Sequence, residues 1–424
     1  MILPKGSIVL SPMVRGSELA FRMLCRRKGG AHLCYTPMLR DDDVLGVAAM
    51  SKGASSEGET SAVDLVIDNA GRVNSVDETA YLIYESYQDS KNLIVQLCGN
   101  QPTKLYQAST ALLDLFSSSN ADALPWGIDL NLGCPQQCAA KGNFGAFLVE
   151  RDAEMAVECL RSMRRAIDEY PVGEDKRKKP LLSAKIRLWD SGVDDTVAFV
   201  RRMKGSIDMI AIHCRTREEK HDGRADWEAG KRLAEELSRD GIPVILNGGV
   251  SNFRDALTLL HQTNCHSVMV ATGYLKNHRN LANQPVSGDD LRPQNLATEY
   301  LDFAEKYPPP SFLYIQKHLR WIFRESLHPE DGEFNPKDYS DYRVRLVGTV
   351  KLTAALPKLN NLPQFDSKWS FLVRPYLRSI NQYRMFVALF VKQSGGEKED
   401  QPEAIRHFLV EDLTYKKIKK AKLS

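Results

Sequence analysis

The fold that this 424-residue sequence predicts is a (β/α)8 barrel followed by a small helical domain, and three observations predict it. Short apolar runs alternate with helical patterns over residues 1–282. The runs number eight. Several are apolar on both faces (IDLNL, MIAI, PVIL, SVMV), as parallel strands covered by helices must be. Eight strand–helix units in about 275 residues match the size of such a barrel. A doubly wound sheet is the alternative, because strand count alone does not close a barrel.

The elements follow in order. Ile8–Val14 reads as the first strand, and Ser17 as the N-cap of a helix that runs through Arg27 and stops at Gly29-Gly30. His32–Tyr35 is the second strand. Leu93–Leu97 is the third, with a helix from Pro102, where proline suits a first turn. Ile128–Leu132 precedes a helix over Asp152–Tyr170, and Leu181–Arg187 precedes one over Asp194–Lys204. Met209–His213, Pro243–Leu246 and Ser267–Ala271 complete the eight, with helices over Trp227–Ser238 and Phe253–Gln262 between them. Three polar insertions, Ser51–Ala62, Ser117–Ala123 and Val172–Lys179, read as solvated loops. Residues 283–293, polar with Pro and Gly, form the linker. Beyond it, residues 294–363 form a helical domain with helices over Gln294–Lys306 and Ser311–Ser326, and residues 364–424 form a basic extension.

Apolar residues make up 43% of the chain and charged residues 26%, which argues against disorder as the main state. The longest apolar stretch near the end, Met385–Val391, is too short to span a bilayer. The N-terminus lacks the pattern of a secretory signal, so the eight cysteines read as reduced thiols. The net charge of +3 is uneven. Residues 291–424 carry 22 Lys+Arg against 16 Asp+Glu, while the first 290 carry 35 against 38. The basic third, ending in LTYKKIKKAKLS, suits either a polyanionic partner or a solvated tail.

In a (β/α)8 barrel the active site lies at the C-terminal strand ends. Those ends carry Ser11-Pro12-Met13, Gln96 and Gly99, Asn131 with Gly133-Cys134-Pro135, Lys185 and Arg187, His213-Cys214-Arg215-Thr216-Arg217, Asn247-Gly248-Gly249, and Ala271-Thr272-Gly273. Gly248-Gly249 and Gly273 follow strands seven and eight, the fold's usual phosphate position, where free backbone N–H groups favour an anion. Lys185 inside an apolar strand is costly without a partner. Arg215 and Arg217 beside His213 suit an anionic ligand. Cys134 and Cys138 have no matching Cys/His pair at zinc spacing, so no metal site is expected. A thiol at a strand end is instead either a packed side chain or a proton donor.

Six stretches then carry a resemblance. LSPMVRGSELAFRMLCRRKGGAHLCYTPM at 10–38, VQLCGNQP at 95–102, DLNLGCPQQCAAKGNFGAFL at 129–148, AKIRL at 184–188, AIHCRTREEKHDGRADW at 211–227 and PVILNGGVSNFRDAL at 243–257 lie in the family's order. On these stretches the chain resembles the tRNA-dihydrouridine synthases, flavin enzymes that reduce uridine in tRNA, and within them the eukaryotic class 1 branch that acts on D-loop uridines 16 and 17. The resemblance implies that FMN is held by Pro12, Met13, Gln96, Lys185, His213, Asn247, Gly248, Gly249, Thr272 and Gly273, with NADPH as reductant. It implies that Cys134 supplies a proton, that Asn131 orients the base, and that Lys141, Arg215 and Arg217 lie near the RNA. Ala140, Cys214 and Thr272 depart from the family's usual lysine, glycine and acidic residue.

Lys317, His318 and Arg320 are expected on an RNA-facing helix, whose apolar stripe is Phe312, Ile315, Leu319 and Phe323. The expected protein is a monomer that binds tRNA without metal or membrane, in the cytoplasm and/or nucleus. The competing readings are a dihydroorotate-dehydrogenase-like flavoenzyme acting on a free pyrimidine, and a non-catalytic RNA-binding relative.

Overall fold

The structure is a computed structural model, and it describes residues 3–54, 75–118, 124–171, 179–220, 222–283, 286–288 and 290–322. Nine strands lie among them: β1 (Ser7–Leu10), β2 (Leu33–Tyr35), β3 (Leu39–Arg40), β4 (Leu93–Cys98), β5 (Gly127–Asn131), β6 (Leu181–Arg187), β7 (Met209–His213), β8 (Val244–Asn247) and β9 (Ser267–Val270). All their pairings are parallel. Eight of them close into a ring, β9 pairing with β1 and β2 with β4, while the two-residue β3 pairs with β4 alone. The doubly wound alternative is therefore excluded, because an open sheet would leave two unpaired edges.

The first strand ends at Leu10, short of the expected Val14. Ser11 still donates its N–H to Val270, but Pro12 has no N–H with which to continue the ladder. Ser17 does not cap the helix Leu19–Gly29. Glu18 holds the N-cap position without a side-chain capping bond to the helix, while the Ser17 hydroxyl turns back to Met13. The stop is where the glycines put it: Gly30 takes the left-handed conformation at φ +70° and donates to Cys25. Asp152, Asp226 and Asn252 cap the helices Ala153–Glu169, Trp227–Arg239 and Phe253–Thr263, each accepting from the backbone N–H three residues on.

Side-chain alternation divides the strands. Ile8, Leu10, Leu182, Ala184, Ile186, Ile210, Ile212, Val244, Leu246, Val268 and Val270 face the helices. Val9, Leu33, Tyr35, Ile94, Met209, Ala211, Ile245 and Met269 fill the barrel interior. The inward positions of β5 and β6 depart from the expectation of strands apolar on both faces. Asp129 and Asn131, and Ser183, Lys185 and Arg187, occupy alternate positions there. The interior is apolar at its base and polar towards the C-terminal rim.

Helices Pro293–Lys306 and Phe312–Ile322 stand where two helices were expected. The first packs on helix Leu19–Gly29, and the second packs on the first and on the short helix Thr272–Lys276. Ile315 and Leu319 of the expected apolar stripe are fully buried. The rest of the expected helical domain, 323–363, lies outside the described residues. So do the 364–424 extension, with its lysine run, and most of the 51–62, 117–123 and 172–179 insertions.

Candidate active site

Strand register brings the expected residues to one end of the barrel. Asn131 pairs with Lys185, Arg187 with His213, and His213 with Asn247. Gln96, one strand before Asn131, is buried. Residues scattered over about 150 positions thus share one rim, because every strand ends at the same level of the closed ring.

A chain of buried hydrogen bonds runs through this rim. Ser183 Oγ donates to Asp129 Oδ1 at 2.5 Å, and Gln96 Nε2 donates to Asp129 Oδ2 at 2.8 Å. Asn131 Nδ2 donates to Gln96 Oε1 at 2.9 Å. Asn131 Oδ1 accepts from the N–H groups of Gly133 at 3.2 Å and Cys134 at 3.0 Å. Burial pushes the Asp129 carboxyl up to about 6, against the opposing pull of Ser183, Gln96 and Lys185. Lys185 is half-buried, and its ammonium is brought from 10.5 down to about 8 by burial first and the nearby Arg187 second.

Cys134 sits on the turn after β5, half-buried, with its thiol raised above its usual range by burial. It therefore stays protonated at neutral pH, as an acid must. The turn is clamped from two sides. Arg187 Nε donates to the Gly133 carbonyl at 2.8 Å, and Ala146 N–H donates to the Cys134 carbonyl at 3.2 Å. Gly145 lies against it at φ +64°, where a Cβ would stand 2.9 Å from the Cys134 carbonyl oxygen. All eight cysteines are free thiols, and Cys138 is the exposed one.

The cationic side of the rim is already engaged with protein. Arg187 Nη1 donates to the carbonyls of Thr216 (3.0 Å) and Lys220 (2.7 Å), and burial brings its guanidinium down to about 10. Arg215 donates to the carbonyls of Asp222 and Gly223, and its Nη1 lies 3.1 Å from His213 Nε2. Arg217 pairs with Glu150 and Glu218 and lies over the Phe147 ring. Lys141 is exposed at the end of helix Gln137–Gly142.

The glycine turns are tight. Gly248 and Gly249 have φ of +117° and +76°. A Cβ on Gly248 would meet His213 Cδ2 at 2.9 Å, and one on Gly273 would meet the Val250 carbonyl oxygen at 2.7 Å. The turn precedes the helix start by four residues, since Asn252 is the N-cap. Gly273 lies inside helix Thr272–Lys276, whose first residue, Thr272, is exposed. Asn247 Nδ2 donates to the Met269 carbonyl, which links β8 to β9. Pro12 and Met13 are half-buried in the loop after β1, and Lys317 Nζ reaches that loop to donate to the Val14 carbonyl at 2.5 Å.

His318 overturns one expectation. It is fully buried between the rings of Phe21 and Tyr300, at 4.1 and 4.3 Å between centroids, and it bonds the buried Glu18 at 3.1 Å. It faces the core, where its ring packs between two aromatic rings and its Nε2 meets the buried Glu18 carboxylate. Lys317 and Arg320, its neighbours on the helix, are half-buried.

Asp129, Ser183 and Gly145 were not singled out from sequence as site residues. The first two announce themselves as polar residues at alternate strand positions, D-x-N and S-x-K-x-R. Gly145 carries no such signal, because only the fold shows what its missing side chain avoids.

A family model described as Dihydrouridine synthase (Dus) matches residues 9–324. A Mus musculus protein named tRNA-dihydrouridine(16/17) synthase NAD(P)(+)-like is 31% identical over 325 residues, covering 75% of this chain and 55% of that protein. A second Mus musculus protein, named tRNA-dihydrouridine(20a/20b) synthase NAD(P)+-like, is 28% identical over 318 residues, 75% of this chain and 80% of its own. A Haemophilus influenzae protein named tRNA-dihydrouridine(16) synthase is 31% identical over 253 residues, covering 57% of this chain and 72% of that protein. The chain thus spans little more than half the length of the first of these relatives. With the family match running from β1 through the second C-terminal helix, the chain belongs to the dihydrouridine synthase family.

Proposed function

We propose that this chain reduces the C5=C6 bond of uracil in tRNA to dihydrouridine, at D-loop positions 16 and 17, as a monomer with FMN as its flavin and NADPH as reductant. The observation that carries the reading is Cys134, a half-buried thiol held protonated on a rigid turn beside the polar rim. The names of the similar proteins, tRNA-dihydrouridine(16/17) and tRNA-dihydrouridine(16) synthase, support the choice of tRNA as substrate and of positions 16 and 17.

The residues present suit a flavin phosphate and ring. Gly248 and Gly249 keep the turn after β8 bare of side chains where it packs against His213, Ala225 and Trp227, and Gln96, Lys185, His213 and Asn247 lie at the same strand ends. Pro12, Met13, Thr272 and Gly273 bound that rim from the neighbouring strand ends. Bound FMN supplies the hydride that C6 of the conjugated uracil accepts.

The chain's own residues do the rest. Hydride at C6 leaves enolate character that needs a proton at C5, and the Cys134 thiol gives it. Asn131, fixed by Gln96 and the Cys134 turn, keeps the base in register with the thiol. Lys141, Arg215, Arg217, Lys317 and Arg320 contribute positive charge towards the tRNA backbone. Flipping a stacked base out of folded tRNA costs a few kcal/mol, which such phosphate contacts offset.

Purified protein should be yellow and should oxidise NADPH in proportion to unmodified tRNA supplied, and not with free pyrimidine. Cys134→Ala should keep flavin and tRNA binding and lose about 10²–10⁴-fold in turnover. Wild-type turnover in the alanine variant removes Cys134 from the mechanism.

A further inference from the structure

Asp129 is fully buried inside the barrel, two residues before Asn131 and on the same face of β5. Both of its oxygens are engaged, Oδ1 by Ser183 and Oδ2 by Gln96. An ionised carboxylate accepts and cannot donate. Gln96 must therefore turn its NH2 to Asp129 and its carbonyl oxygen to Asn131. Asn131 must in turn give its NH2 to Gln96, which leaves its own oxygen for the Gly133 and Cys134 N–H groups.

Each of these amides has nearly the same shape when rotated by half a turn, so shape alone does not choose its direction. With both reversed, the Asn131 NH2 would face two backbone donors and the Cys134 turn would lose its anchor. We infer that Asp129 is the positioning residue of this site: as its acceptor-only group it sets the direction of the chain Ser183–Asp129–Gln96–Asn131 and so holds the turn that carries Cys134.

The surroundings agree with that role. The ionisable groups facing Asp129 are Lys185 of β6, which favours its charged form, and the phenol of Tyr35 of β2, which lies 3.4 Å from Ser183 Oγ. Burial raises the Asp129 carboxyl to about 6, so the acceptor-only state holds at neutral pH and gives way in mild acid, where a protonated carboxyl donates.

The test has two arms, and only the second rests on the reaction proposed above. In the first, the alkylation rate of Cys134 by iodoacetamide is measured on the full-length protein carrying its bound cofactor, with Cys138→Ser removing the exposed thiol. Asp129→Ala should raise that rate about tenfold by freeing the turn. Asp129→Asn, which still accepts from Gln96, should bring it back towards the wild-type rate. In the second arm, Asp129→Ala should lower kcat for tRNA by about 10²-fold with KM little changed, as a misplaced reacting group does. The wild-type kcat should fall below about pH 6, an arm that Asp129→Asn lacks.

Equal alkylation rates in wild type and Asp129→Ala would overturn the inference. Should that variant not fold, the absence of a pH arm that distinguishes wild type from Asp129→Asn would overturn it instead. A wild-type protein inert towards tRNA, with alkylation still set by position 129, would overturn the proposed reaction and leave the inference standing.

Discussion

Gly145→Ala tests how tightly the Cys134 turn is built. Gly145 lies at φ +64°, and a Cβ there would stand 2.9 Å from the Cys134 carbonyl oxygen and 3.0 Å from its Cβ and its nitrogen. Placing an L side chain at positive φ costs about 1–2 kcal/mol. The contact is shorter than packed atoms tolerate and falls on backbone, which cannot swing aside, so overpacking adds about 1–3 kcal/mol. The sum, about 2–5 kcal/mol, is a large part of the 5–15 kcal/mol that holds a typical domain folded.

Gly241→Ala is the control. Its φ is +78°, but nothing lies within 4 Å of the new Cβ, so it carries the backbone cost alone. Urea denaturation of the two variants isolates the contact, and tRNA turnover reads the displaced thiol, with a loss of about 10²-fold expected in Gly145→Ala and none in Gly241→Ala. If Gly145→Ala loses no more stability than Gly241→Ala and turns over like wild type, the rigid turn is not what positions Cys134.

Two further outcomes follow from buried charge. Lys185 titrates near 8 in the folded protein against its ordinary 10.5, so between those values the unfolded chain binds more protons and wild-type stability rises with pH. Lys185→Met should abolish that rise and gain about 1–3 kcal/mol at pH 7 while losing activity, as urea midpoints at pH 7 and pH 10 together with turnover will show. His318→Leu strands the Glu18 carboxylate, fully buried with the Tyr300 hydroxyl at 3.0 Å, and should cost about 3–5 kcal/mol; adding Glu18→Gln should restore much of it, and a double-mutant cycle in urea that finds the two effects additive would refute the pair.

Much of the architecture was legible in the sequence because its signals are local. Strand signals recur eight times, six of them followed by a helical pattern, and Asp152, Asp226, Asn252 and Gly30 act within a few residues of themselves. Ser17 was misread for the same reason: a hydroxyl just ahead of a helix suits a cap, but a loop bent back to Met13 offered it nearer partners. His318 was misread because basic neighbours suggest a surface. Its burial depends on Glu18, 300 residues away in the chain.

The identity of most candidate site residues, though not of Asp129, Ser183 or Gly145, belongs to the sequence by itself: which strand ends are polar, where a thiol follows a buried strand, and which family's motifs those stretches carry. Their arrangement belongs to the tertiary structure. Closing the ring aligned Asn131, Lys185, Arg187, His213 and Asn247 at one level, turned Asp129 and Ser183 inward to face Gln96, and pressed Gly145 against Cys134. The physical reason is that hydrogen-bond direction, burial and steric exclusion are properties of groups distant in the chain and adjacent in space, so they come into being only when the barrel closes.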